Sequence, residues 1–393
     1  MDFDTVIVRY GEIAIKSDQI RRKYEDLLIK NLKAMMGQDQ VAYDRISKER
    51  GRIFVHTRDP KAPESIARVF GVVSCSPAVS ARPAIGDAAA VAAAFGRELI
   101  KDHQTFAIIP RHSGGKNQPF TSQDIGRTCG DAVFEAVKDR HPKVDLKNPD
   151  HAIHVEIRDS GSYVFTEIVK GVGGMPLGSQ GKMVAMVSGG IDSPVAAWLM
   201  MKRGCEIVPV FFHNAPYFDD TTMNRALDTL RELSKWCPGH GMTAYVMPHG
   251  PNLQAFQEKG NQKYTCVFCK HLMYKVARAI AEKEGAHGIV TGSSIGQVAS
   301  QTSNNMLAEI YGVDFPINHP LIGMDKDEIV ELSRRIGLFD LSTKKAMGCK
   351  AVPKHPSIHG HLEEVIRMER EQFDFKALVQ YEMDNLQRVE ISG

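Results

Sequence analysis

With 393 residues, the chain is too long for one hydrophobic core, so two or three domains are expected. Hydrophobic residues make up 43% and charged residues 24%, which excludes a disordered or fibrous chain, and no run of about 18 apolar residues is present to span a membrane. The net charge of +2 divides as +3 over residues 1–171 and −1 over the rest, too even for charge alone to declare a nucleic-acid partner.

The opening residues, acidic and then strand-like, lack the form of a secretion signal, and a cytoplasmic address is expected. Seven scattered cysteines make no disulfide framework and are expected as free thiols, metal ligands or catalytic groups. Alternation predicts a strand at 3–9, and apolar spacing at Tyr24, Leu27, Leu28, Leu32 and Met35 predicts a helix over 21–36. Strands follow at 41–46 and 52–56, then a short helix at 65–69 closed by Gly71. An Ala-rich helix (84–101), a strand (105–111) and a helix (121–137) come next. Two strands, 152–157 and 163–169, are joined by the turn Asp159-Ser160-Gly161. This mixed order suits α+β domains. The glycine-rich stretch 171–181 reads as a linker.

Beyond it the pattern changes to strands at 183–187, 206–212, 243–247 and 288–291, separated by helices at 194–203, 221–236 and 271–284. That alternation predicts a doubly wound, mostly parallel α/β sheet with its ligand site beyond the carboxyl ends of the strands. The tail from Ile358 reads as two amphipathic helices without evident chemistry.

The stretch 183–204 carries the strongest signal. An apolar strand runs into Ser188-Gly189-Gly190-Ile191-Asp192-Ser193 and then a helix, with Ser193 expected as its cap, Pro194 at its first position and Gly204 as its stop. Such a turn aims backbone N–H groups and the positive helix end at an anion. The ordinary GxxxxGK[ST] loop is absent; Gly178–Met183 has the wrong spacing and precedes a strand. SGGxDS instead resembles the PP-loop of enzymes that split ATP between its α and β phosphates. In such a loop Gly189 and Gly190 let the backbone approach phosphate, Ser188 and Ser193 donate hydroxyls, and Asp192 holds Mg²⁺ or orients the attacked group.

Two later segments reach the same edge. The stretch 291–302, with Gly292, Gln297 and Gln301, is crowded with small and amide groups suited to a nucleotide. Asp325 and Glu328 form a capping box that places Lys326 in a helix's first turn, against the usual dipole preference, where it can meet a phosphate. Among the cysteines, Cys75, Cys129, Cys205 and Cys237 read as packing residues. Cys266 and Cys269 form a CxxC at a helix start, where the positive end is expected to favour thiolate, and Cys349 stands alone 80 residues on. Three such thiols suit three irons of a cubane cluster, a zinc ion completed by His271 or water, a persulfide relay, or no chemistry at all.

Taken together, Arg9–Lys16, Gly173–Ala196, Gly296–Thr302 and Pro320–Lys326 resemble the tRNA 4-thiouridine synthetases. The resemblance covers nearly the whole chain. It implies a ferredoxin-like domain over 1–62, a THUMP domain that grips the acceptor end of tRNA over 63–171, and a PP-loop ATP pyrophosphatase domain over 172–393. It makes Asp192 and Lys326 catalytic-site residues and aligns Cys349 with the catalytic cysteine. Many bacterial members end in a rhodanese domain and lack the CxxC. This chain, ending at Gly393, is similar instead to archaeal-type enzymes in which Cys266, Cys269 and Cys349 would hold a [4Fe-4S] cluster.

The activity so implied is ATP-dependent adenylation of O4 of uridine 8, with Mg²⁺, followed by sulfur transfer through the cluster or a Cys349 persulfide. Expected partners are the tRNA acceptor end and uridine 8 region, a sulfur source such as sulfide or a cysteine desulfurase, a second copy of the chain in a homodimer, and no membrane. Arg111, Lys116 and Arg127 are candidate tRNA contacts. A non-catalytic THUMP protein would not need SGGIDS with Lys326. An ammonia-using PP-loop ligase would not need three thiols, and a 2-thiocytidine-type thiolase would lack residues 6–170.

Overall fold

The computed structural model describes residues 2–49, 51–113, 119–360 and 362–392; Lys116 lies outside them. The chain forms two compact units, Met1–Met175 and Pro176–Gly393, dividing inside the glycine-rich stretch.

The first unit runs β1 (Thr5–Tyr10), α1 (Asp18–Gln38), β2 (Arg45–Glu49), β3 (Arg52–His56), α2 (Ala62–Ala67), β4 (Val72–Ala81), α3 (Ile85–Leu99), β5 (Thr105–His112), α4 (Ser122–Ala136), β6 (Lys143–Val144), β7 (His151–Ile157), β8 (Ser162–Phe165) and β9 (Val169–Lys170). Its sheet has the order β2-β3-β1-β4-β8-β7-β5-β6, with β9 also on β4. The apolar stripe of α1, including Leu28, Leu32 and Met35, buries against Val6, Val8, Ile53 and Val55. A second core under α3 and α4 joins Ala92, Phe95, Ile125 and Val133 to Phe106, Ile153 and Val155. Thr121 caps α4, in a capping box with Asp124.

β4 was not legible in the sequence, because small and polar residues interrupt its alternation. It pairs with β1 on one side and β8 on the other, so one sheet continues past the 62/63 boundary. The 163–169 segment, expected as one strand, splits into β8 and β9.

The second unit runs β10 (Lys182–Val187), α5 (Asp192–Lys202), β11 (Glu206–His213), α6 (Asp220–Ser234), β12 (Thr243–Pro248), α7 (Gly250–Lys259), α8 (Thr265–Glu284), β13 (Ile289–Val290), α9 (Ser303–Glu309), β14 (Ile317–Asn318), α10 (Lys326–Arg335), α11 (Phe339–Ser342), α12 (Leu362–Glu371), α13 (Phe375–Asp384) and β15 (Gln387–Glu390). Strand order is β14-β13-β10-β11-β12-β15, parallel except where β15 adds antiparallel to β12. The chain winds one way from β10 to β12 and returns on the other side of β10 with β13. The crevice between the carboxyl ends of β10 and β13 is therefore the topological switch point, where open α/β sheets bind ligands. Val184, Phe212, Tyr245, Leu272 and Ile280 belong to the core beneath it. Among the described residues, no helix is long and apolar enough to cross a membrane.

Candidate active site: a phosphate loop beside three thiols

β10 ends at Val187 and α5 begins at Asp192, so Ser188–Ile191 form the turn. Ser193 does not cap the helix as expected; Ile191 is the N-cap and no side chain caps it. The Ser193 hydroxyl instead accepts from the Ser188 N–H at 2.8 Å and lies 3.1 Å from the Ser188 hydroxyl. Ser188 Oγ also accepts from the Gly190 N–H at 3.3 Å. The two serines thus brace the loop across its mouth. Gly189 is required by contact, since a Cβ there would stand 2.7 Å from Arg225 Nε and 3.1 Å from the Thr222 carbonyl. Gly204 ends α5 in the left-handed region at φ +93°, where glycine carries no steric penalty.

Lys326 opens α10 behind its cap Asp325, and both arms of the Asp325–Glu328 capping box form. Its ammonium donates to Asp192 Oδ1 at 2.6 Å, which joins two candidate residues 134 positions apart. Gly292 lies so close to the start of α5 that a Cβ would sit 2.6 Å from Ser193 N and 2.7 Å from Asp192 C. A cavity of about 270 Å³ opens here, with walls that include Ser188, Asp192, Ser193, Asn214, Lys270, Tyr274, Gly292, Ser293 and Gln301. Gly189, Gly190, Gln297 and Lys326 lie outside that wall. Gln297 and Gln301 each bury an Oε1 that finds no hydrogen-bond partner among the described residues.

The three cysteines lie beside this cavity. All are partly buried, and Cys266 and Cys269 each feel the charge of Cys349. The expectation that the helix start favours thiolate is overturned. Burial, reinforced by the Cys349 charge, pushes the Cys266 thiol up to about 11, while Lys270 pulls the other way. Cys269 is also raised, first by burial and then by Cys266. Burial among neighbouring thiols outweighs both Lys270 and the partial positive charge of one helix end. Cys349 sits on a loop held down by α6: Thr222 donates to the Met347 carbonyl at 2.7 Å and Arg225 to the Lys344 carbonyl at 2.7 Å. The Asn214 Nδ2, on the cavity wall, points at the Cys349 sulfur at 3.9 Å.

The chain also matches known protein families. The "ThiI ferredoxin-like domain" model matches residues 5–76, the "THUMP domain" model 88–167, and the "Thiamine biosynthesis protein (ThiI)" model 178–375. A protein of Methanosarcina acetivorans is 50% identical over 369 residues, covering 93% of this chain and 89% of its own length. One of Methanosarcina mazei is 49% identical over 378 residues, covering 96% and 93%. The chain belongs to the ThiI family. Both relatives are named "probable tRNA sulfurtransferase". A crystal structure of "a 4-thiouridine synthetase - RNA complex with bound ATP" is similar across 99% of this chain and 100% of that one, with TM-score 0.87 and 28% identity.

Within this ThiI-family site, several residues escaped the sequence reading. His271, a zinc-ligand candidate there, is spent: Nδ1 lies 2.9 Å from the Glu309 carbonyl and Nε2 3.3 Å from Glu369. The imidazole at the thiols is His249, fully buried, with Nε2 3.3 Å from Cys269 Sγ and Nδ1 2.7 Å from Glu382. Glu382 is fully buried too and also accepts from Asn252. It comes from the tail, which therefore does carry a polar group to the site. Arg225 touches both Gly189 and the Cys349 loop. No short motif marks these residues, because each pairing spans tens to more than a hundred positions.

In the first unit, Arg111 lies on a cavity of about 430 Å³ together with Arg9, His154 and Phe165, and Arg127 is exposed on α4.

Proposed function

We propose that this chain is an ATP-dependent tRNA sulfurtransferase that adenylates O4 of uridine 8 and replaces that oxygen with sulfur, giving 4-thiouridine. The observation that carries the reading is Asn214, whose side chain lines the phosphate-loop cavity and reaches the Cys349 sulfur at 3.9 Å. Activation and sulfur supply therefore share one wall. The relatives' names and the RNA- and ATP-bound neighbour support the substrate pair.

A uracil carbonyl oxygen is a poor leaving group. When O4 attacks the α-phosphate of ATP, pyrophosphate departs and the oxygen becomes part of AMP, which leaves readily. Ser188, Ser193, the Gly189–Gly190 backbone and Lys326 meet the phosphate charge, the contribution that dominates phosphoryl transfer. Asp192 orients Lys326 and is the carboxylate that would hold Mg²⁺, which would supply charge neutralisation at the phosphates. Gln301, with its unpartnered Oε1 in the cavity wall, is suited to the nucleotide's donor groups.

Cys266, Cys269 and Cys349 would hold a [4Fe-4S] cluster, which when bound supplies an open iron for a sulfur ligand. The surroundings of the thiols fit it: His249 sits against Cys269 with its other nitrogen fixed by Glu382, the outer-shell pattern that orients metal ligands.

The first unit holds the acceptor end of tRNA, with Arg111 and Arg127 as phosphate contacts, and sulfide or a cysteine desulfurase supplies sulfur in the cytoplasm. The test is Asp192→Ala: loss of thiolation with tRNA affinity within about threefold of the parent is expected. Equal loss of both in a folded variant would overturn the assignment.

A further inference from the structure

Lys270 directly follows the CxxC, one helical turn beyond Cys266 on α8. Two independent features meet at this ammonium. It forms part of the phosphate-loop cavity wall, together with Met273 and Tyr274 from the next turn of the same helix face. Behind it, Glu309 of α9 is fully buried, 3.7 Å away, and neither carboxylate oxygen has a hydrogen-bond partner among the described residues. A carboxylate left so bare is costly unless it has a task. The pair is too long for a hydrogen bond, so Lys270 is anchored without being consumed.

We propose that Lys270 is a catalytic residue for the sulfur-transfer half of the reaction, and that Glu309 is its positioning residue. This rests on the sulfurtransferase reading above. The adenylated uracil carries a negative phosphate, and the incoming nucleophile, a sulfide-level species such as hydrosulfide, is also an anion. The two repel as they approach. A fixed cation between cavity and thiols relieves that repulsion at the moment when C4–S forms and C4–O breaks. AMP departs with the electron pair of the broken bond, and the sulfur-bound proton passes to solvent. No oxidant or reductant is needed. Lys326, held on Asp192, serves the earlier departure of pyrophosphate.

The test uses full-length protein purified without oxygen, with tRNA, ATP and sodium sulfide. Two readouts are followed: tRNA-dependent pyrophosphate release and 4-thiouridine formation. Lys270→Met keeps the stem and removes the charge. It is expected to lower thiolation about 100-fold while pyrophosphate release in the first turnover falls less than about fivefold, with Lys270→Arg recovering at least tenfold of the loss. Glu309→Gln is expected to lower thiolation about tenfold, and Lys270→Met with Glu309→Gln to be no slower than Lys270→Met alone, since Glu309 acts through the lysine. The double variant also removes both buried charges, so it folds if the single variant does not. Thiolation by Lys270→Met or by the folded double variant within about threefold of the parent, or parallel loss of both readouts, would overturn the proposal. Failure of the parent to thiolate would instead strike the sulfurtransferase reading.

Discussion

Replacing Gly292 by alanine probes the closest backbone approach in the site. The added Cβ would stand 2.6 Å from Ser193 N and 2.7 Å from Asp192 C, both main-chain atoms with no rotamer to yield. Restoring ordinary contact at 3.4 Å requires the first turn of α5 to recede from β13 by about 0.8 Å. Overpacking of this kind costs about 1–3 kcal/mol, which in a unit of about 220 residues lowers Tm by roughly 2–12 °C at about 2–4 °C per kcal/mol. The catalytic effect is expected to be larger than the stability effect. Asp192 and Ser193 move with the turn, and a misplacement near 1 Å costs on the order of 100-fold in rate. Gly323, with no atom within 4 Å of its hypothetical Cβ, is the control, and Gly323→Ala should change neither property. Calorimetry and tRNA-dependent pyrophosphate release measure both. A Gly292→Ala protein with parental Tm and parental pyrophosphate release would refute the argument that this contact sets the loop.

Three further outcomes follow from the geometry. Arg225→Ala frees both the Gly189 side of the phosphate loop and the Lys344–Cys349 loop; it is expected to lower pyrophosphate release and iron content together, the latter read by metal analysis after anaerobic reconstitution. His249→Ala removes the contact to Cys269 and leaves the buried Glu382 with Asn252 as its remaining partner. A loss of about 3–5 kcal/mol is expected if that charge stays uncompensated, together with weaker iron retention, whereas unchanged retention in a folded variant would remove His249 from the site. Glu369 is raised by burial but held by His271 and Lys275 to a net value of about 2. Its folded pKa is depressed, so its stabilisation is complete above the ordinary value of 4.5 and is lost as pH falls toward 2; Glu369→Gln should flatten the fall of Tm with acid in that window.

What the sequence disclosed follows from how locally each feature is encoded. The phosphate loop was legible because strand, glycine turn and helix are contiguous between Met183 and Gly204. The Asp325–Glu328 box was legible because capping acts over three residues, and it placed Lys326 correctly without naming Asp192 as its partner. Ser193 was misread as a cap because the rule that favours serine there cannot see that Ser188, five residues back, competes for the hydroxyl. The thiol shifts were misread for a similar reason: the helix end is visible in sequence, but the burial that outweighs it is not. β4 stayed hidden because Ser74, Ser76 and Pro77 blur its alternation, although its neighbours on both sides supply the hydrogen bonds. His249 with Glu382, and Lys270 with Glu309, were beyond reach, since an acidic residue on a helix reads as solvated until the fold buries it.

The central claim is that one oxygen of tRNA leaves as AMP and one sulfur takes its place. Its most direct test is a product balance with anaerobically purified protein, unmodified tRNA, ATP and sulfide, measuring 4-thiouridine by nucleoside analysis alongside AMP and pyrophosphate. One 4-thiouridine at position 8 for each AMP and each pyrophosphate, all lost in Asp192→Ala, is expected. Thiolation that proceeds without ATP, or ADP and phosphate in place of AMP and pyrophosphate, would contradict it.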